Sequence, residues 1–275
     1  MIQISQFGEV TQFRMGRESK GEAWQPPGQV FYWTSAYLVD GLLIDTGCPH
    51  TAEEFVHSLE GRSIKLVVNT HYHEDHIGAN YLLQQKLGLK ILASRESIPL
   101  INKVPEIHKY QELIWGYPVP TKVELLPDKI ETEHFHFDVM PTPGHCQGHV
   151  ALVEPTRGWC FSGDLFASRE PKAIRPDEDI GEVARSMQKL VNLKTEQLIL
   201  FTSLGNVIQD GREALQSCIA YLKDLSLRAK QLEKQGLSAG AIRDKIFGRE
   251  TVLAGITKGD VSAENMVRAA LRARI

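Results

Sequence analysis

The residues best suited to chemistry lie in one short segment of the 275-residue chain, residues 69–78. Within it, His71, His73, Asp75 and His76 occupy four of six consecutive positions. In an extended segment alternate side chains point the same way, so His71 and His73 can reach one metal ion. Imidazole combined with carboxylate suits zinc, iron or manganese. The segment therefore predicts a metal site.

Two later segments can supply the missing ligands. Residues 142–149 contain Gly144 and Gly148, which permit the tight backbone geometry that would aim His145 inward. Asp164 ends the segment Ser162-Gly163-Asp164 after an apolar run, where a carboxylate at the end of a strand can bridge two metals. Each motif is commonplace by itself, but the three together, in this order, form a specific pattern.

The surrounding sequence predicts strands that end at these motifs. Residues 64–70 form a short, almost fully apolar run, which predicts a strand buried on both faces just before His71. Residues 77–88 then predict a helix that ends at Gly88. Ligand sites of α/β sheets lie at such carboxyl ends of strands. The predicted positions of strand and helix thus agree with the proposed chemistry.

Other patterns complete an α/β arrangement. The dipeptide Asp40-Gly41 between two β-rich runs predicts a hairpin, and residues 51–61 predict a helix capped by Thr51. Strand patterns return over residues 129–164, followed by a helix at about 178–191 and a strand at about 197–203. Two such halves predict two sheets packed together with helices outside.

Two segments depart from this rhythm. Residues 94–128 contain five prolines among aromatic residues, which leaves two interpretations open: a surface excursion, or a lid over the substrate. Residues 212–275 contain no proline and predict helices. Twelve basic and seven acidic residues give this tail a charge of +5, against −8 for residues 1–211. We therefore predict a catalytic domain over 1–211 and a helical C-terminal extension over 212–275.

The composition excludes several classes of protein. With 42% hydrophobic and 24% charged residues and a net charge of −3, the chain is typical of a globular protein. No apolar run is long enough for a membrane helix, and the N-terminus does not resemble a secretion signal. Four cysteines without CxxC spacing favour a reducing compartment. We expect a cytoplasmic protein with no membrane partner.

The ordered motifs H-x-H-x-D-H, T-P-G-H and S-G-D resemble those of the metallo-β-lactamase-fold hydrolase superfamily over about residues 25–211. The segment from Thr70 to His76 is similar to the glyoxalase-II-like branch. The resemblance implies an α/β fold: a four-layer αββα sandwich of two mixed sheets, followed here by the helical extension.

The resemblance also implies a role for each residue of the motifs. His71, His73 and His145 would be ligands of the first metal, Asp75 and His76 of the second, and Asp164 would bridge them. Asp45 would orient the histidine loop without binding metal, and His149 would support the site from behind the ligands. Asp75 would also be catalytic, holding the nucleophile and returning a proton to the leaving group.

One position departs from the family pattern. Leu204 stands where the family usually places a histidine that completes the second metal site, and no histidine follows His149. The second site is therefore weakened. We expect one or two Zn²⁺ ions, with iron or manganese as alternatives.

The implied function is hydrolysis by a metal-activated hydroxide, with a small thioester, ester or lactone as the substrate. Three alternatives remain open: an RNA-cleaving metallo-nuclease, a mononuclear-iron persulfide dioxygenase, and a non-enzymatic member with a degraded second site. The basic tail is compatible with nucleic acid, but a small-molecule partner is favoured. The sequence leaves the oligomeric state open, with a dimer as one option.

Overall fold

The computed structural model describes residues 1–22 and 24–275. Within them, a first sheet of seven strands takes up the N-terminal part of the chain, and its strands follow one another in chain order across the sheet. They are β1 (Ile2–Phe7), β2 (Val10–Met15), β3 (Thr34–Val39), β4 (Leu42–Ile44), β5 (Leu66–Val68), β6 (Ile91–Ala93) and β7 (Glu124–Leu125). Pairing is antiparallel from β1 to β4 and parallel from β4 to β7.

A second sheet of six strands follows in the same described residues, again in chain order. Its strands are β8 (Lys129–Glu131), β9 (His136–Pro141), β10 (Val150–Glu154), β11 (Trp159–Gly163), β12 (Ile199–Thr202) and β13 (Val207–Ile208). The β11–β12 pair is parallel and the other pairs are antiparallel. Both sheets are therefore mixed.

The helices connect the strands or follow them. They are α1 (Ala52–Ser58), α2 (Asn80–Leu87), α3 (Ile98–Ile101), α4 (Lys109–Ile114), α5 (Ile180–Val191), α6 (Gly211–Lys234), α7 (Ala239–Phe247), α8 (Val252–Ile256) and α9 (Ala263–Arg272). The longest of them, α6, packs against both α5 and α9.

Three apolar clusters separate four layers. Alternation along β10 shows how: Val150 and Leu152 face the core between the two sheets, whereas Ala151 and Val153 face the helices α5, α6 and α9. On the other side of the molecule, α1 and α2 cover the first sheet. The αββα sandwich of two mixed sheets is thus confirmed, and its strands are apolar on both faces because each sheet is covered twice.

The outer helices show where the C-terminal residues belong. Side chains of α6 and α9 share one core with α5 and the second sheet. The division into a catalytic domain over 1–211 and an extension over 212–275 stays a prediction. Its boundary lies at the start of α6, which begins at Gly211. The helical character of the tail is as predicted.

The predicted hairpin at Asp40-Gly41 and the predicted helix end at Gly88 are confirmed, whereas the predicted helix cap at Thr51 is wrong. Asp40 and Gly41 both have positive φ angles, as a tight hairpin between β3 and β4 requires, and Gly88 ends α2 in the left-handed conformation. Thr51 precedes α1 but makes no side-chain cap. Its hydroxyl donates to the carbonyl of Cys48 instead, because a 3₁₀ turn precedes the helix.

Among the described residues, none of the helices has the length and apolar character that crossing a membrane requires.

Candidate metal centre

The polar side chains singled out in the sequence meet at one edge of the two sheets. Asp45 follows β4, the histidine segment follows β5, and Asp164 follows β11. His145 lies in the loop between β9 and β10. Because β4, β5 and β6 are parallel, as are β11 and β12, their carboxyl ends bring these groups together.

The first cluster consists of three imidazoles and one carboxylate. Nδ1 of His73 lies 3.0 Å from Nε2 of His71 and 3.0 Å from Nε2 of His145. An Asp164 oxygen lies 3.3 Å from the same Nε2 of His145. One potential ligand atom from each of the four residues is within 4.8 Å of the others. The four side chains can therefore hold one metal ion.

Neighbouring groups direct the lone pairs of these imidazoles inward. Nδ1 of His145 donates to Glu178 Oε2 at 3.0 Å. Nδ1 of His71 lies 3.1 Å from the hydroxyl of Thr70, which itself donates to Asp45. When the two rings are neutral, both Nε2 atoms therefore point a lone pair at His73, whose Nδ1 could supply a proton to only one of them. A cation at the centre satisfies all three nitrogens, so the donor set fits a metal.

A second cluster adjoins the first through Asp164. Nε2 of His76 lies 3.2 Å from Asp164 Oδ1 and 3.7 Å from Asp75 Oδ2. That nitrogen is buried and is not aligned to form a hydrogen bond with either carboxylate, while Nδ1 of His76 donates to Asp45 at 2.7 Å. A buried polar atom without a partner is costly. The free Nε2 is therefore suited to a ligand, and the structure brings together all six predicted metal-binding residues.

Burial and charge set the protonation of these groups. Burial lowers the pKa values of His71 and His73 well below the usual range, and neighbouring cationic groups lower them further, so both are neutral. Burial raises the pKa of Asp75 to about 6. Burial opposes ionisation of Asp164 too, but His76 and His145 outweigh it and hold its pKa well below the usual range. Burial opposes protonation of His76 and His145, but the neighbouring carboxylates outweigh it and raise both pKa values, so a metal that binds these two rings releases protons.

Asp45 holds the histidine segment in place. Its carboxylate accepts hydrogen bonds from the backbone N–H of Thr70 at 2.7 Å, from the Thr70 hydroxyl at 2.8 Å and from His76. Its φ angle is +60°, an unfavourable value for a residue with a Cβ atom. Three hydrogen bonds stabilise this strained position, and none of them involves a metal. This is the supporting place that the sequence predicts for Asp45.

His149 uses both ring nitrogens within the protein. Nε2 accepts from the backbone N–H of Asp164 at 3.1 Å, and Nδ1 bonds to the Thr142 hydroxyl at 2.8 Å. Burial lowers its pKa to about 3, so the ring is neutral and can act as that acceptor. Gly163 allows the contact, since a Cβ atom there would lie 2.5 Å from Nε2 of His149. His149 therefore orients Asp164 and has no lone pair left for a metal.

The turn after β12 supplies a hydroxyl and an apolar side chain instead of an imidazole. Ser203 donates a hydrogen bond to Asp164 Oδ1. Leu204 is 37% exposed and borders the same cavity as His145 and Asp164. The second cluster, as far as the described residues show, has one imidazole and two carboxylates. The sequence-based expectation for Leu204 did not foresee the role of Ser203 next to it.

Other residues around the site carry no sequence signature. Arg175 Nη1 lies 3.4 Å from Nε2 of His73, and its Nη2 lies 4.0 Å from Glu74. Glu74 in turn accepts from Gln111 at 2.8 Å. Glu178 and Arg175 come from the loop before α5, where neither spacing nor residue type marks them. Only the fold brings them to the histidines.

The segment 94–128 borders the site beside His73. Residues 105–108 and Gln111 border a cavity together with His73 and Arg175. Of the aromatic residues, Tyr110 and Trp115 pack in a small separate cluster with Phe31. The segment thus supplies part of a wall beside His73, while its action as a lid stays a prediction.

Removal of Glu178 is expected to weaken metal binding. Without its carboxylate, Nδ1 of His145 loses the partner that keeps Nε2 free to coordinate. Loss of such a supporting partner typically costs about 10–100-fold in metal affinity. Glu178→Ala should show this loss in competition titrations with a fluorescent chelator. The control is Glu182→Ala, which removes an exposed carboxylate paired only with Arg185; equal affinity of both variants would refute this role.

Comparisons with known proteins place this site in context. The family model of the metallo-beta-lactamase superfamily matches residues 34–201. A beta-lactamase-like protein 2 homolog from Drosophila melanogaster is 26% identical over 67% of this chain and 63% of its own length. The hydroxyacylglutathione hydrolase GloC from Haemophilus influenzae is 27% identical over 62% of this chain and 82% of its own.

Solved structures agree on the fold. A beta-lactamase domain protein from Burkholderia ambifaria superposes with a TM-score of 0.67 at 16% identity, covering 98% of this chain and 83% of that one. At this identity the likeness shows the fold alone. The residues that the family model matches, 34–201, include both metal clusters.

Proposed function

The chain belongs to the metallo-beta-lactamase superfamily of metallo-hydrolases, and on this premise we propose that it is a zinc enzyme that hydrolyses a small thioester, ester or lactone. The convergence of the imidazoles of His71, His73 and His145 with the carboxylate of Asp164 carries the proposal. Three nitrogen donors and one oxygen are a ligand set typical of catalytic zinc.

A divalent ion held by these residues supplies Lewis acidity and lowers the pKa of a coordinated water to near neutrality. The chain's own residues hold the ligands: Asp45 and Thr70 fix the histidine segment, Glu178 fixes His145, and His149 with Ser203 fixes Asp164. These groups are buried or nearly so, which keeps the geometry rigid.

Water is the proposed nucleophile because the nearby side chains are unsuited to that role. Burial raises the pKa of the Cys146 thiol, so the thiolate needed for attack is scarce. The Ser203 hydroxyl donates to Asp164, whose pKa is held well below the usual range, so this carboxylate is too weak a base to activate the serine. Both arrangements argue against a covalent acyl-enzyme.

Asp75 is the proposed group for proton transfer. Its carboxyl lies beside the second cluster, 3.7 Å from His76 Nε2. For a thioester, the oxygen of water bonds to the acyl carbon and the C–S bond breaks. One proton of the water passes through Asp75 to the sulfur that leaves, so that the products are a carboxylic acid and a thiol. Asp75 thus ends each turnover in the state in which it began.

The relatives support an acyl substrate. Several of the similar curated proteins, including the one from Haemophilus influenzae, are named hydroxyacylglutathione hydrolases. The chain spans 63% of the Drosophila relative and 82% of the Haemophilus one, so substrate identity is part of the proposal and not of the family assignment. We further propose a cytoplasmic location, on the grounds of the cysteine pattern.

The number of metal ions is also proposed. The first cluster has four potential ligands, whereas Asp75, His76 and Asp164 are three, one of them shared. We infer one tightly held ion and a second of low occupancy. At the second position the affinity for iron or manganese would rise relative to that for zinc, because the donors of this position are mostly carboxylates.

The structure offers little support for an RNA substrate. Several basic side chains of the tail are engaged within the protein: Arg212 donates to carbonyl groups of residues 191–195, and Arg243 pairs with Asp244, Glu250 and Glu264. The cavity beside His73 carries acidic residues, among them Glu74 and Asp260. A phosphate backbone would be repelled there.

A substrate panel with defined metals tests the proposal. The metal-free protein, reconstituted separately with zinc, iron or manganese, should hydrolyse short thioesters fastest with zinc, and a chelator should remove the activity. Matched reactions with lactones, oligoribonucleotides and glutathione persulfide cover the alternatives. Oxygen consumption with persulfide and iron, or RNA cleavage without thioester hydrolysis, would overturn the proposed function.

A further inference from the structure

A cavity of about 150 Å³ opens beside the first metal cluster. His145 and Asp164 form part of its wall, and Glu178 and Ser203 lie next to them. Nearly all of its other lining is apolar. The deep part is formed by Leu165, Phe166, Ile174, Met187, Leu222 and Met266, all of them buried.

The C-terminal helices build the floor of this cavity. Leu222 belongs to α6 and Met266 to α9, and Met187 on α5 lies between the sheet and these helices. The loop that carries Ile174 is tied to the start of α9, since its backbone exchanges hydrogen bonds with Ser262 at 3.1 and 3.3 Å. Residues beyond 211 thus shape a space next to the metal cluster.

Leu204 stands at the mouth of the cavity, where the family pattern would place an imidazole. It is partly exposed and borders the cavity along with Ala167 and Ser168. A leucine here withdraws a potential metal ligand and extends the apolar wall toward solvent. The substitution that weakens the second metal site therefore also favours an apolar ligand.

A second cavity, which borders His73, has a mostly polar or charged lining. It is bordered by Arg175, His108, Glu74, Glu106 and Asp260, which are all polar or charged. The metal cluster thus borders an apolar cavity through His145 and Asp164 and a polar one through His73. Such a division suits a substrate with one apolar end and one polar end joined at the reacting carbonyl.

We propose that the apolar cavity binds the hydrocarbon chain of a medium-chain acyl thioester, with the carbonyl beside His145 and Asp164. This inference rests on the proposed hydrolase function and names its substrate class. Filling the void with methylene groups removes apolar surface from water and restores contacts that an empty apolar cavity lacks. The thiol portion would then lie toward Arg175.

The first test is a chain-length series. N-acetylcysteamine thioesters of acetic, butyric, hexanoic, octanoic and decanoic acid share one leaving group. We expect kcat/KM to rise by about fourfold per methylene until the cavity is filled. Measurable hydrolysis with a flat length profile would overturn the inference while leaving the proposed function intact.

Two variants test whether the acyl chain of the substrate occupies the apolar cavity. Ala173→Phe adds a ring to the wall of the cavity and should reduce kcat/KM for the octanoyl compound by roughly 10–100-fold, with acetyl turnover little changed. Leu204→Ala should reduce the octanoyl value by about fivefold. Leu227→Ala is the matched control, because Leu227 is 63% exposed on α6 and does not border the cavity. Equal effects of the two leucine variants would contradict the proposal.

A binding measurement separates this inference from catalysis. Octanamide should bind the metal-free protein on the order of 100-fold more tightly than butanamide in calorimetric titrations, and Ala173→Phe or Leu204→Ala should reduce the difference. If no thioester of any length is hydrolysed but this pattern is seen, the proposed function fails and the apolar subsite stands. Equal binding of the two amides overturns the subsite.

Discussion

His71→Ala is expected to abolish tight metal binding and to reduce kcat/KM for thioester hydrolysis by more than about 100-fold. His71 is fully buried at the centre of the first cluster, with Nε2 3.0 Å from His73 and Nδ1 bonded to Thr70. Loss of a group that only supports a ligand costs about 10–100-fold, so loss of the ligand itself should cost more. Elemental analysis and steady-state kinetics of the purified variant measure both effects.

The control for this variant is an exposed histidine. His57 on α1 is exposed and pairs with Glu60 at the surface, so His57→Ala should retain its metal and its activity. Circular dichroism establishes that both variants are folded. A folded His71→Ala protein with the metal content and activity of the unmodified chain would show that the histidine cluster is not the metal site.

Leu204→His is expected to increase the occupancy of the second metal site from a fraction of an ion to near one ion per chain. Leu204 borders the cavity with Asp164, and its neighbour Ser203 contacts that carboxylate directly. A histidine there would give Asp75, His76 and Asp164 the second imidazole that they lack. Because supporting contacts alone change affinity by about 10–100-fold, a new ligand should give at least that gain.

Metal content at increasing free zinc measures this gain, with Leu227→His as the control for an added surface histidine. Leu227 lies on α6, outside the cavity beside the cluster. Two tightly held ions in the unmodified protein would contradict our account of Leu204. So would equal second-site occupancy in the two histidine variants.

The architecture could be predicted from the sequence because buried strands appear in it as short apolar runs. Runs such as residues 66–68 and 150–153 are apolar on both faces, since each sheet is covered by helices on one side and by the other sheet on the opposite side. The cap at Thr51 was mispredicted for a local reason. A proline at position 49 begins a 3₁₀ turn, which redirects the threonine hydroxyl to Cys48.

The candidate site was predictable only where its residues fall into motifs. The six potential ligands lie at strand ends with recognisable spacing, and they converge in the structure. Glu178, Arg175 and Ser203 act beside them through contacts between residues far apart in the chain. The same holds for the apolar cavity, whose walls come from α5, α6 and α9. No local pattern records such distant contacts.

The measurement that tests the central claim most directly is a titration of the metal-free protein with zinc, in which hydrolysis of the octanoyl thioester and bound metal are followed together. We predict that activity rises in proportion to bound zinc and reaches its plateau at about one ion per chain, when the cluster of His71, His73, His145 and Asp164 is filled. Hydrolysis that is independent of added metal, or no hydrolysis at full occupancy, would contradict the account.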